Sequence, residues 1–154
     1  MDIKNEYPPN WHMICERFGP DVSDAKVVFT YGNTIYNPKN LKLTDHLIAH
    51  EEVHSLQQAQ HPDGPDGWWK VYLLSTEFRV HQEAQAYGMQ VVVGGKGKTR
   101  EKIRNAILVF AKSLASPVYG SPCDLKRAQT LIKNYYITIL HENRWTNGGG
   151  SGGS

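Results

Sequence analysis

The sequence is short of the features that mark several large protein classes. It has two cysteines, Cys15 and Cys123, far apart and in no CxxC pair. That gives no disulfide framework and predicts two free thiols in a reducing compartment. No apolar run approaches the roughly 18 residues that span a bilayer. The N-terminus has no basic stretch followed by an apolar core, so no secretory signal is read and a cytoplasmic setting is expected. The formal net charge is only +2, too small to argue for nucleic acid or a membrane surface as partner. One basic cluster over 96–104 reads as a solvated loop and helix start. Oligomeric state is not legible.

What is present fits one soluble domain. Of 154 residues, the last seven, GGGSGGS at 148–154, read as an engineered linker tail. Residues 1–147 are near the commonest size for a single domain. The first 24 residues are Pro-rich and irregular, with a helical turn near 11–18. Two runs rich in β-branched and aromatic residues, 26–31 and 34–36, flank Gly32-Asn33 and predict a β-hairpin. From Thr44, a plausible N-cap, the period becomes helical to about 60. Pro and Gly at 62–67 end that helix. A second helix is predicted from about 66–68 to 92, a third over 99–115, and a fourth from 123 to 136 or as far as 141. The sum is a mostly helical α+β domain with a small sheet beside the first long helix.

That helix carries His50-Glu51-Glu52-Val53-His54. Histidines four apart share one helix face, so both imidazoles can reach one ion. Zinc takes neutral nitrogen ligands and accepts three protein ligands plus water. It lowers the pKa of that water from about 15.7 to about 7. Glu51 lies about 100° round the helix, placed to take the water's proton during attack on a carbonyl and pass it to the leaving amine. With 7 histidines in the chain, the pattern arises by chance in roughly one such sequence in sixty. The bland alternative is a surface helix with two unligated histidines. His46 is one turn too early to share the ion and reads as exposed or supporting.

A third ligand is needed. Glu77, His81 and Glu83 all fall on the second helix. With Trp69 at 0° and about 100° per residue, Glu83 falls inside the apolar stripe, Glu77 at its edge and His81 outside. A carboxylate inside an apolar stripe is costly unless paired or metal-bound, which favours Glu83. A salt bridge to Arg79 is the competing explanation. Arg79 is otherwise a supporting partner or an ordinary surface residue.

His50-Glu51-x-x-His54 followed 29 residues later by Glu83 resembles the gluzincin class of zinc metallopeptidases. Three stretches, VFTYGNTIYNP at 28–38, LIAHEEVHSLQQ at 47–58 and FRVHQEAQAY at 78–87, resemble small bacteriophage metallopeptidase-like proteins. The loop LASPVYG at 114–120 does so loosely. The resemblance implies a minimal zincin-like fold, zinc on His50, His54 and Glu83, Glu51 as catalytic glutamate, and a protein or peptide substrate. It also implies a strand beside the motif helix that pairs with extended substrate, either 26–31 or 34–36. An oxyanion stabiliser is expected among Tyr119, Tyr36, Tyr87 and His81, with Tyr119 the choice for its loop setting. The rival readings are a zinc amidase acting on cell-wall peptides and a phage assembly module that keeps a structural zinc.

Overall fold

In a computed structural model, residues 1–148 are described; the linker residues 149–154 lie outside them. The fold is α+β, a single mostly helical domain with one small mixed sheet. β2 (Phe29–Tyr31) and β3 (Thr34–Tyr36) form the predicted hairpin. Gly32 opens its turn at φ +60°, the left-handed value that a tight two-residue turn demands at its first position. The sequence did not reveal a third strand. β1 (Asp2–Lys4) lies parallel to β3, so the order is β1-β3-β2. Its three residues are all exposed, so no alternating apolar signal marks it.

Helix α1 (Trp11–Phe18) and the short α2 (Pro20–Asp24) cover the hairpin. Helix α3 (Asp45–Gln60) is capped by Thr44, whose side chain accepts the Leu47 N–H. The second predicted helix is two helices, α4 (Gly64–Leu74) and α5 (Thr76–Gly94). Ser75 is extended, at φ −107° and ψ 111°, and its side chain accepts the Phe78 N–H. Serine competes for backbone donors in this way and starts helices rather than continuing them. Angles measured from Trp69 therefore do not carry across Ser75. Glu83 sits on the buried face for a local reason, beside Val80, Ala84 and Tyr87 of α5 itself.

Helices α6 (Arg100–Leu114) and α7 (Leu125–Gly148) follow, joined through a 3-10 turn at Pro117–Tyr119. Helix α7 runs past the predicted limit and takes in Gly148. Among the described residues, none of the helices is long and apolar enough to cross a membrane.

Two apolar clusters share the core. One gathers Ile14, Val22, Phe29, Trp68, Trp69 and Tyr72 from α1, α2, β2 and α4. The other gathers Tyr87, Val91, Ile107, Leu114, Ala128 and Ile132 from α5, α6 and α7. Helix α3 is different: its buried residues are His50, Glu51, His54, Gln57 and Gln58. A helix that buries only polar groups gains little from apolar transfer. Such groups need partners, and where they find them defines the site.

Helix α5 packs closely on α7 at Gly88. A Cβ there would meet Tyr135 Cβ at 2.9 Å and the Tyr136 backbone nitrogen at 3.0 Å. Alanine favours a helix over glycine by about 1 kcal/mol, but overpacking costs about 1–3 kcal/mol. The backbone of α7 cannot yield as a flexible side chain can. Gly88→Ala should therefore lower the melting temperature by several degrees in a thermal melt; an unchanged or raised value would show that the helices can part freely.

Candidate metal centre

Helices α3 and α5 bring His50, His54 and Glu83 together as a buried group able to hold a metal ion. The two Nε2 atoms are 3.1 Å apart. Glu83 Oε2 lies 3.3 Å from His50 Nε2 and 3.4 Å from His54 Nε2. Ligands about 2.0–2.1 Å from a tetrahedral ion stand about 3.3 Å from one another, so the three atoms match one face of such a shell.

The hydrogen bonds around the triad support the same conclusion. Gln57 Nε2 donates to the Gln82 carbonyl at 3.1 Å and to Gln85 Oε1 at 2.9 Å. That turns Gln57 Oε1 toward His54 Nδ1, 2.9 Å away. Nδ1 must then carry the proton, and the neutral ring aims the Nε2 lone pair at the centre. Glu83 Oε1 accepts the Tyr72 hydroxyl at 2.6 Å, while buried Oε2 has no hydrogen-bond partner. Lone pairs thus converge on one point with nothing but a cation or a proton to reconcile them. The residues fit a divalent metal.

Protons take that role when no metal is bound. Burial pulls the His54 imidazole down, but the adjacent Glu83 charge outweighs it and pushes its pKa up to about 9. Burial alone would raise Glu83, yet the charge on His54 and the close approach of both imidazoles hold it well below the usual carboxylate range. Burial, reinforced by the Glu83 charge, pushes the Tyr72 phenol well above its usual value, so it remains a donor.

Ring contacts set the imidazole planes. His50 meets the Tyr87 ring edge-on at 4.6 Å, and His54 lies 5.5 Å from Trp68. Glu51 stands beside the triad, 4% exposed, its Oε2 accepting the Thr30 hydroxyl at 2.7 Å. Tyr119 lies over the site from the 3-10 turn, its hydroxyl 2.8 Å from that of Tyr87. Burial and then the Glu83 charge push its phenol well above the usual range, which keeps it protonated.

The other proposed groups lie elsewhere. Glu77 forms a two-pronged ion pair with Arg127 and is exposed. His81 bonds the Tyr135 hydroxyl at 3.1 Å. Tyr36 packs in the core around Trp69. His46 is half-buried against Gln90, away from the triad. Arg79 is neither a surface residue nor a salt-bridge partner of Glu83. Fully buried, it donates to the carbonyls of Tyr72 at 2.5 Å and Tyr119 at 3.0 Å. It ties the end of α4 to the turn that carries Tyr119.

The triad lines one hollow, and His50 also reaches a second. One, of about 60 Å³, is walled by Ile14, Phe18, Val22, Val27 and Trp69. The other is an open groove of about 380 Å³ toward Tyr87, Phe110 and Ser113. His50, Glu51, Val28 and Tyr119 line both.

Comparison of the chain with protein-family models, curated proteins and solved structures finds no match. The metal centre therefore stands on its own geometry. The sequence reading missed Tyr72, Gln57 and Thr30 as its supports. A buried tyrosine on an apolar stripe still needs a partner for its hydroxyl, and that requirement alone could have drawn attention to Tyr72.

The paired shifts give a signed expectation. An imidazole raised from its ordinary 6.5 to about 9 stabilises the metal-free fold fully below 6.5 and ceases to as pH climbs through 9. The metal-free protein should lose stability across that window, and the metal-loaded protein should not. Metal binding at pH 7 should release close to one proton, read by calorimetry in buffers of different ionisation enthalpy. Zero release would mean that His54 is already neutral. Tyr72→Phe should weaken metal binding about 10-fold through loss of the bond that orients Glu83.

Proposed function

We propose that the chain is a zinc metallopeptidase of gluzincin type that hydrolyses peptide bonds. The observation that carries this reading is Glu51. A structural metal site needs three or four ligands and no adjacent carboxylate, yet a buried Glu51 lines both hollows beside the triad. The stretches that resemble small bacteriophage metallopeptidase-like proteins agree with it. The free thiols of Cys15 and Cys123 suit a cytoplasmic setting in a bacterial host cell.

His50, His54 and Glu83 hold the zinc, which when bound acidifies water and polarises a carbonyl. Glu51 takes one proton from the attacking water as the new C–O bond forms. It returns that proton to the amide nitrogen as the C–N bond breaks. Tyr119, paired with Tyr87, supplies a hydrogen bond to the carbonyl oxygen as it gains charge.

The substrate lies extended across the two hollows. β3 cannot pair with it, because β1 and β2 occupy both its edges. The strand leading into β2, at Val28, lines both hollows and is the pairing edge. The smaller hollow has apolar walls, so it selects an aliphatic side chain next to the cleaved bond.

The test is cleavage profiling on a diverse peptide library with and without chelator. Chelator-sensitive cleavage beside leucine, isoleucine or valine is expected. Glu51→Gln should keep its metal and lose at least about 10²-fold in kcat. Full activity in that variant, or no chelator-sensitive cleavage by the wild type, would falsify the reading and favour an assembly module with a structural metal.

A further inference from the structure

Strand β2 meets helix α3 edge-on. The buried Gln58 donates from Nε2 to the Thr30 carbonyl at 2.9 Å and accepts the Gly32 N–H on Oε1 at 2.7 Å. Its amide stands where a neighbouring strand would. Trp69 Nε1 donates to the same Thr30 carbonyl at 3.0 Å. The backbone of Thr30 is thus gripped from two helices.

Glu51 precedes Gln58 by seven residues, two turns along the same helix face. The strand that Gln58 grips is therefore laid across Glu51. Thr30 is 2% exposed and Glu51 4%. Thr30 Oγ1 donates to Glu51 Oε2 at 2.7 Å, with a weaker contact to the Glu51 carbonyl at 3.4 Å. A hydroxyl-to-carboxylate bond of this length is among the stronger ones. Thr30 engages one of the two carboxylate oxygens, Oε2.

We infer that Thr30 is a positioning residue for Glu51. This rests on the reading of Glu51 as general base. A glutamate side chain has three rotatable bonds, and ordering it costs entropy each time it must act. The Thr30 hydroxyl settles that orientation in advance by holding Oε2, and it leaves Oε1 as the oxygen that takes the proton. Gln58 and Trp69 fix the strand so that the hydroxyl cannot drift. The contribution goes to the chemical step alone, since Thr30 does not touch the metal triad.

The experiment compares Thr30→Val, which keeps the shape and removes the hydroxyl, with Thr30→Ser, which keeps the hydroxyl. Both are measured on a peptide that the wild type cleaves. Thr30→Val should bind zinc with unchanged affinity, keep KM, and lose about 10- to 100-fold in kcat, the scale of misplacing a catalytic group. Thr30→Ser should recover activity to within a few-fold. In a Glu51→Gln background, Thr30→Val should cost nothing further in kcat, because the two act as a unit. Thermal melts of the wild type, Thr30→Val, Glu51→Gln and the double variant give a readout independent of activity, and the two substitutions should be non-additive there as well. If Thr30→Val does not fold, Thr30→Ala against Thr30→Ser makes the same comparison. Full kcat without the hydroxyl, a serine variant as impaired as valine, or additive losses with Glu51→Gln would overturn the inference and leave the peptidase reading standing. A wild type without chelator-sensitive cleavage would overturn both.

Discussion

Unreconciled lone pairs lie at the centre of this fold. Two imidazole nitrogens and a carboxylate oxygen meet within 3.1–3.4 Å, buried. Left alone, that arrangement is repulsive and poorly solvated. A proton on His54 relieves it in part; a divalent cation relieves it fully. The surrounding structure serves to keep the three atoms from turning away. Gln57 fixes one histidine, Tyr72 the glutamate, and the rings of Tyr87 and Trp68 block rotation of the imidazoles.

The same constraint explains the character of α3. A core helix ordinarily stabilises a domain by burying an apolar stripe. Here α3 buries histidine, glutamate and glutamine, and the apolar work is done by the two clusters on either side. The polar groups on α3 take their partners from two other elements, α5 and β2. Gln57 reaches α5, Glu51 and Gln58 reach β2, and the histidines reach Glu83. The helix thus joins the two halves of the core through hydrogen bonds and through the triad that could share an ion.

Much of this was legible in the sequence, and the reasons differ by residue. His50 and His54 were visible because helical geometry makes spacing equivalent to proximity. Glu83 was visible because a charge among Val80, Ala84 and Tyr87 demands a cause. The break at Ser75 was hidden, since Thr76 continues the apolar stripe in register with Tyr72 and only the cap chemistry differs. β1 was hidden because its residues are exposed and its pairing is held by backbone alone. Thr30 was hidden for a deeper reason. Its partner Glu51 is 21 residues away, and nothing local distinguishes a threonine that packs in a strand from one that holds a carboxylate.

Arg79 has an effect beyond joining α4 to the tyrosine turn. It is fully buried and bonded to carbonyls rather than to a carboxylate, yet its charge is felt at Glu83. With a divalent ion in place, the two carboxylates Glu51 and Glu83 cancel the ion, and the guanidinium remains. The interior around the triad would then keep the Arg79 charge without a carboxylate partner of its own. On the proposed reading, the negative charge that a carbonyl gains under attack would offset that excess at the moment the bond is hardest to break.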